Sequence, residues 1–169
     1  MITFLKETLW KQFGASIDML GNAIAMYPDE HWDTRRRFFY IAYHTLIFLD
    51  YYLSYPAQAL SSPLSFTLCA ESAIPAEAVD DIVPNRIYTK KELLAYLQSS
   101  REKCHQLIMS LNPEILADKW IEIDGDKTFA MLELLLYNMR HVQHHAGQLN
   151  MMLRQAIGAA PDWVPAAKE

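Results

Sequence analysis

The stretch Arg140-His-Val-Gln-His-His-Ala-Gly-Gln-Leu149 decides how this chain is read. It lies inside a segment, residues 128–156, that reads as one long helix with Gly158 as its C-terminal stop. On a helix, residues four apart stack on one face. His141 and His145 are therefore roughly 40° apart around the axis, and Leu134, Tyr137, Gln148 and Met152 share their side. That face is mostly apolar. Two buried imidazoles need partners, and one divalent cation satisfies both. His144 lies about 60° to the other side of His141. It suits a role beside the ligands or against a substrate better than ligation itself. The alternative is a pair of core or surface histidines. No Glu follows His141, so the His-Glu-x-x-His pattern of zinc proteases is absent.

Working outward, the spacing predicts three more long helices. Over residues 3–27, Leu5, Leu9, Phe13, Ile17, Leu20 and Ile24 recur at helical intervals, and Pro28 ends the run. A second face carries Gly14, Asp18, Gly21 and Ala25, small enough for close approach of another helix or a ligand, with a packed helix pair the plainer reading. Residues 34–54 form the second helix, with Asp33 or Thr34 as its cap. His44 shares a face there with Arg37, Tyr40, Phe48 and Tyr51. A lone histidine is more often a satisfied core residue, so its candidacy as third ligand rests on the need of the pair for another donor. The third helix opens on Thr89-Lys-Lys-Glu92, a capping box, and runs to Asn112-Pro113.

Between the second and third helices lies a long irregular connection, about 56–88, with Pro56, Pro63, Pro75 and Pro84. Such connections inside compact domains are often functional. This one holds Glu71, Glu77, Asp80 and Asp81, and a short helix is expected around Pro75 to Ile82. Around residues 120–129, alternation and an Asp124-Gly125 turn signal predict a small hairpin. The tail after Gly158 reads as extended. Four long helices with one long crossover predict an all-α fold, a four-helix bundle, as a single domain over residues 1–169.

Composition narrows the function. The chain has 169 residues, of which 51% are hydrophobic and 21% charged, as in a globular domain. Its net charge of -5 argues against nucleic acid as a partner, since that needs a basic face. The run Arg35-Arg36-Arg37 is too short to change this; it covers a helix start or holds one anionic group. Cys69 and Cys104 form no CxxC motif, so a reduced, cytoplasmic setting is expected. No signal peptide and no membrane span is expected either. His31 and His105 read as ordinary histidines. Trp10, Trp32 and Trp163 are candidates for exposed aromatics at a dimer surface.

The motif His141-Val-Gln-His144-His145-Ala-Gly147-Gln148-Leu149, continued by Asn150 and Leu153-Arg154, resembles the terminal helix of the DinB/YfiT-like superfamily. The segment Tyr43-His44-Thr-Leu-Ile-Phe-Leu-Asp50-Tyr51 resembles the family's segment with its first metal histidine, and the helix order with its long second connection also agrees. The resemblance covers essentially the whole chain. It implies a four-helix bundle with a divalent metal ion (Zn, Ni or Fe) held by His44, His141 and His145. It also implies a metal-dependent hydrolase or a transferase using a low-molecular-weight thiol, acting on a small-molecule substrate, commonly as a homodimer. Many members read His-Glu-x-His-His-Arg-Gly-Gln; here Val142 and Ala146 replace the Glu and the Arg, which bears on the chemistry around the ligands and on substrate class rather than on the triad. His144, Gln148, Tyr137, Tyr40, Arg37 and Tyr51 are candidate contacts to substrate or to the ligating histidines. Arg37 would serve as an anion clamp. The alternative is a non-catalytic metal- or ligand-binding bundle whose ion is structural or vestigial. A closed structural site generally has four protein ligands, and only three histidines are convincing here.

Overall fold

A computed structural model of the chain describes residues 1–123 and 125–168. It is mostly helical. Four long helices dominate: α1 (Ile2–Met26), α3 (Arg37–Tyr52), α4 (Lys90–Ser110) and α6 (Met131–Ile157), with short α2 (Asp29–Trp32) and α5 (Pro113–Ala117) between them. α1 and α3 each pack against both α4 and α6. The apolar stripe expected on α1 is the one that is buried: Leu9, Phe13, Ile17, Leu20 and Ile24 face inward, while Leu5 is half-buried at the edge. Full burial of a side chain of this size contributes about 1.5–3 kcal/mol. Among the described residues, no helix is long and apolar enough to cross a membrane.

The small residues on the second face of α1 mark two different approaches. A Cβ on Gly21 would lie 2.7 Å from Leu97 Cδ2 of α4, so the glycine lets those helices close. A Cβ on Gly14 would lie 2.6 Å from the Ala167 Cβ, so it is the C-terminal tail that lies against this position. The tail is held there by Ala167 N donating to Lys11 O and by Arg101 donating to Lys168 O. Asp18, on the same face, accepts from Arg101 Nε and Nη2, one edge of the guanidinium, through its two carboxylate oxygens.

Polar ties fix α3 between its neighbours. Asp50 accepts from Lys103 Nζ at 2.6 Å and from Tyr96 OH at 2.9 Å, both on α4. From α6, the fully buried Asn138 donates to Leu49 O. α4 opens with the expected capping box at Thr89 and Glu92, and Gly158 ends α6 with φ 71°.

Several local expectations need correction. α3 begins at Arg37 with no side-chain cap; Thr34 instead donates to Glu30 O and closes α2. The connection over residues 53–89 contains no helix at 75–82. It forms an antiparallel pair, β1 (Phe66–Leu68) with β2 (Ile82–Pro84), around one 3₁₀ turn at Glu71–Ala73. The acidic run before Ile82 has no apolar stripe to bury, whereas Ile82 itself packs into the core. The expected hairpin is present as β3 (Lys119–Ile121) with β4 (Thr128–Ala130), so α6 starts at Met131 rather than at Thr128. Asp124 of the turn signal lies outside the described residues. Trp10 and Trp32 are buried, which leaves Trp163 as the exposed one of the three tryptophans.

Candidate metal centre

α3 and α6 pack side by side, and this brings His44 to His141 and His145. Each of the three rings offers a nitrogen, and these nitrogens all lie within 4.8 Å of one another. His44 Nε2 is 3.1 Å from His141 Nε2. Two nitrogens bound to one cation at about 2.1 Å, and roughly 90–110° apart, would be about 3.0–3.4 Å from each other. The observed spacing therefore fits a shared ion. The rings meet edge to face, with centroids 5.1 Å apart for His44 and His141, 4.9 Å for His44 and His145, and 4.6 Å for His141 and His145.

Hydrogen bonds turn two of the rings toward the common point. His44 Nδ1 lies 2.7 Å from Asp80 Oδ2. A carboxylate accepts only, so Nδ1 carries the proton and Nε2 keeps its lone pair. His145 Nδ1 donates to Gln148 Oε1 at 2.8 Å, again freeing Nε2. His141 Nδ1 is buried with no partner among the described residues. Burial, with lesser repulsion from His145, His44 and His144, pushes the His141 pKa down to about 3. Burial likewise holds His145 down at about 4, against an opposing pull from its bond to Gln148. Both rings are therefore neutral donors at neutral pH, the form in which histidine binds a metal.

The remaining candidates fall around this point. His144 is exposed and meets the His145 ring edge to face at 4.9 Å. With Tyr137, Arg140, His141 and Gln143 it lines an open cleft of about 470 Å³. A larger cleft, about 760 Å³, lies elsewhere, around Trp10 and His105 between α1 and α4, away from the histidine cluster. Phe48 stands against both His44 and His141, with centroids 4.9 and 5.9 Å away. Arg37 directs Nη1 to the carbonyls of Glu77 and Ala78, at 2.8 and 2.7 Å, and so secures the connection over α3. Tyr40 is half-buried, and burial raises its hydroxyl pKa above the ordinary range. Tyr51 is buried and donates to Glu122 at 3.3 Å, away from the triad. Tyr137 stands edge-on to Tyr52.

Sequence reasoning gave Asp80 no role beyond membership of an acidic stretch. No spacing rule links residue 80 to residue 44. Its place is set by β2, which follows it and packs on α3 where the sequence predicts a short helix instead.

Fold and site together define a class: a mostly helical protein whose three-histidine cluster fits a metal ion. The chain belongs to the DinB superfamily, whose family model matches residues 41–149, a span that includes His44, His141 and His145. No curated protein and no solved structure matches it.

Proposed function

We propose that this protein is a divalent-metal-dependent enzyme built on a four-helix bundle, a hydrolase or a thiol-dependent S-transferase, with His44, His141 and His145 as its metal ligands. The observation that carries the reading is the 3.1 Å approach of His44 Nε2 to His141 Nε2 beside the neutral ring of His145. Zinc, nickel and iron all suit such a donor set. Bound there, the cation would supply Lewis acidity, lowering the pKa of a water to about 7 or binding a thiolate.

The protein's own part is to hold the donors neutral, orient them through Asp80 and Gln148, and admit a small molecule along the cleft beside His141 and His144. Arg140 in that cleft has no hydrogen-bond or ionic partner among the described residues, and suits a carboxylate of a substrate or thiol cofactor. We further assign the working form as a homodimer, for which the exposed Leu136 and Met151 on α6 offer apolar surface.

One observation favours the non-catalytic alternative: Asp80, the carboxylate that touches the triad, is occupied by His44 and by the Ile82 amide, and is not free to act as a base. The deciding experiment is metal analysis of untagged protein beside His145→Ala, followed by turnover assays with thiol cofactors and hydrolysable esters or amides. About one equivalent of metal, with turnover lost in the variant, supports the enzyme. Metal without turnover on any substrate leaves the alternative. Turnover retained in a metal-free variant overturns the metal mechanism.

A further inference from the structure

Asp80 belongs to the connection between α3 and α4, yet its carboxylate is divided between two tasks. Oδ2 accepts from His44 Nδ1 at 2.7 Å, and Oδ1 accepts from the Ile82 amide at 3.0 Å, which starts β2. The aspartate is about one quarter exposed and His44 about one seventh. The contact is thus partly shielded from water, which strengthens a charge-assisted bond. β2 is in turn fixed by pairing with β1 and by the burial of Ile82 against the core. The carboxylate is therefore anchored by backbone on one side and presented to the imidazole on the other.

We propose that Asp80 is a positioning residue for the metal site: by holding the His44 Nδ1 proton it fixes the ring's tautomer and orientation and thereby sets the affinity for the cation. An imidazole free to exchange tautomers offers Nε2 only part of the time, and one free to rotate loses entropy on binding. A hydrogen-bonded carboxylate removes both costs and makes the ligand nitrogen more basic. Loss of such a partner typically weakens metal binding 10–100-fold. The connection is consequently part of the metal site although it contributes no ligand, and its β1–β2 pair has a task that a plain linker would not. The inference rests on the assignment of His44 as a ligand, and the test below separates the two.

The variant is Asp80→Asn, which keeps an oxygen for the Ile82 amide while removing the charge that His44 needs. Asp81→Asn is its control, an exposed neighbour that makes the same change in charge. Two measurements are made on each protein. In the metal-free state, the ¹⁵N shifts of His44 report its tautomer; the wild type and Asp81→Asn should carry the proton on Nδ1, and Asp80→Asn should lose that preference. Zinc affinity, read by competition with a chromophoric chelator, should fall 10–100-fold in Asp80→Asn and stay within about twofold in Asp81→Asn. Unchanged tautomer and unchanged affinity in Asp80→Asn would overturn the proposal, as would equal losses in both variants. If His44→Ala loses zinc while Asp80→Asn does not, the metal site stands and the positioning role falls. If wild type takes up no zinc, the assignment of ligands falls, and the tautomer shifts alone decide whether Asp80 orients the ring.

Discussion

His44 and His141, which are 97 residues apart in sequence, hold their Nε2 atoms 3.1 Å from one another. With the Nδ1 proton of His44 committed to Asp80, the His44 Nε2 presents a lone pair. It needs either the ring proton of His141 or a cation between the two rings. Either choice leaves the His141 Nδ1 buried without a partner among the described residues, as an acceptor in the first and as an N–H in the second. A cation satisfies three lone pairs at once, and this asymmetry shapes the first prediction.

Adding zinc to metal-free protein at a hundred times its dissociation constant should stabilise the fold by about 2.7 kcal/mol, a rise in Tm on the order of 5–10 °C. His141→Ala should abolish this rise. Thermal melts with and without zinc check it, and a variant that still gains the full shift would remove His141 from the ligand set.

Gly14→Ala separates helix stability from tail packing. The new methyl improves the helix propensity of α1 by roughly 1 kcal/mol. It would also stand 2.6 Å from the Ala167 Cβ and 3.1 Å from the rim of Trp10, so the tail must yield. The expected outcome is a Tm equal to or above the wild type, with residues 159–168 cleaved faster by protease and the Ala167 amide exchanging faster. Slow cleavage like that of the wild type would mean that the tail contact is unimportant.

Glu92 gives a pH dependence with a definite sign. Bonds from Arg86, then from the Thr89 backbone and side chain, lower its pKa from 4.5 to about 2. The folded state therefore binds the proton less readily than the unfolded chain. The contribution is fully present above about pH 4.5 and is lost as the pH falls through about 2. Glu92→Gln should flatten the fall in Tm across that window, as measured by scanning calorimetry at each pH. Thr89→Ala, which removes the cap itself, should cost about 1 kcal/mol at neutral pH.

Arg37→Ala should loosen the connection without unfolding the helices. Its guanidinium holds the carbonyls of Glu77 and Ala78, but it is exposed, so the loss should be only about 1 kcal/mol, or roughly fivefold faster amide exchange over residues 66–84. Protection in α4 and α6 should be unchanged. Acceleration spread evenly over all elements would show that the bond supports the whole fold rather than this segment.

Much of this arrangement is legible in the sequence because it depends on local pattern. The stripe Leu9, Phe13, Ile17, Leu20 and Ile24 shows which face of α1 is buried, Thr89 and Glu92 show where α4 begins, and Gly158 shows where α6 stops. The four-residue spacing of His141 and His145 puts both on one face before any coordinates are known. What the sequence hides is set by distant partners. Asp33 and Thr34 look like caps for α3, yet the short α2 draws the Thr34 hydroxyl to Glu30. Thr128 to Ala130 look like the first turn of a helix, yet the backbone of Lys119–Ile121 claims them as a strand. Trp10 and Trp32 are buried by contacts with His105 and with the Tyr88 carbonyl that no window around either tryptophan contains. Asp80 meets His44 across 36 residues of irregular chain, so nothing local marks it.

The order of the helices along the chain has a consequence for synthesis. α1 and α3 each lean on α6, which leaves the ribosome after both of them, and two of the three histidines are on it. His44 emerges about a hundred residues earlier, in a helix whose inner face then has no α6 to cover it. The three-histidine corner therefore does not exist on the nascent chain until α6 has followed. It forms in the same event that closes the core, so a cation held by all three histidines would be bound only once α6 has docked on α3. On the proposed metal site, the ion bound in the cell would then be set by what is available to the finished molecule, not by what the growing chain meets.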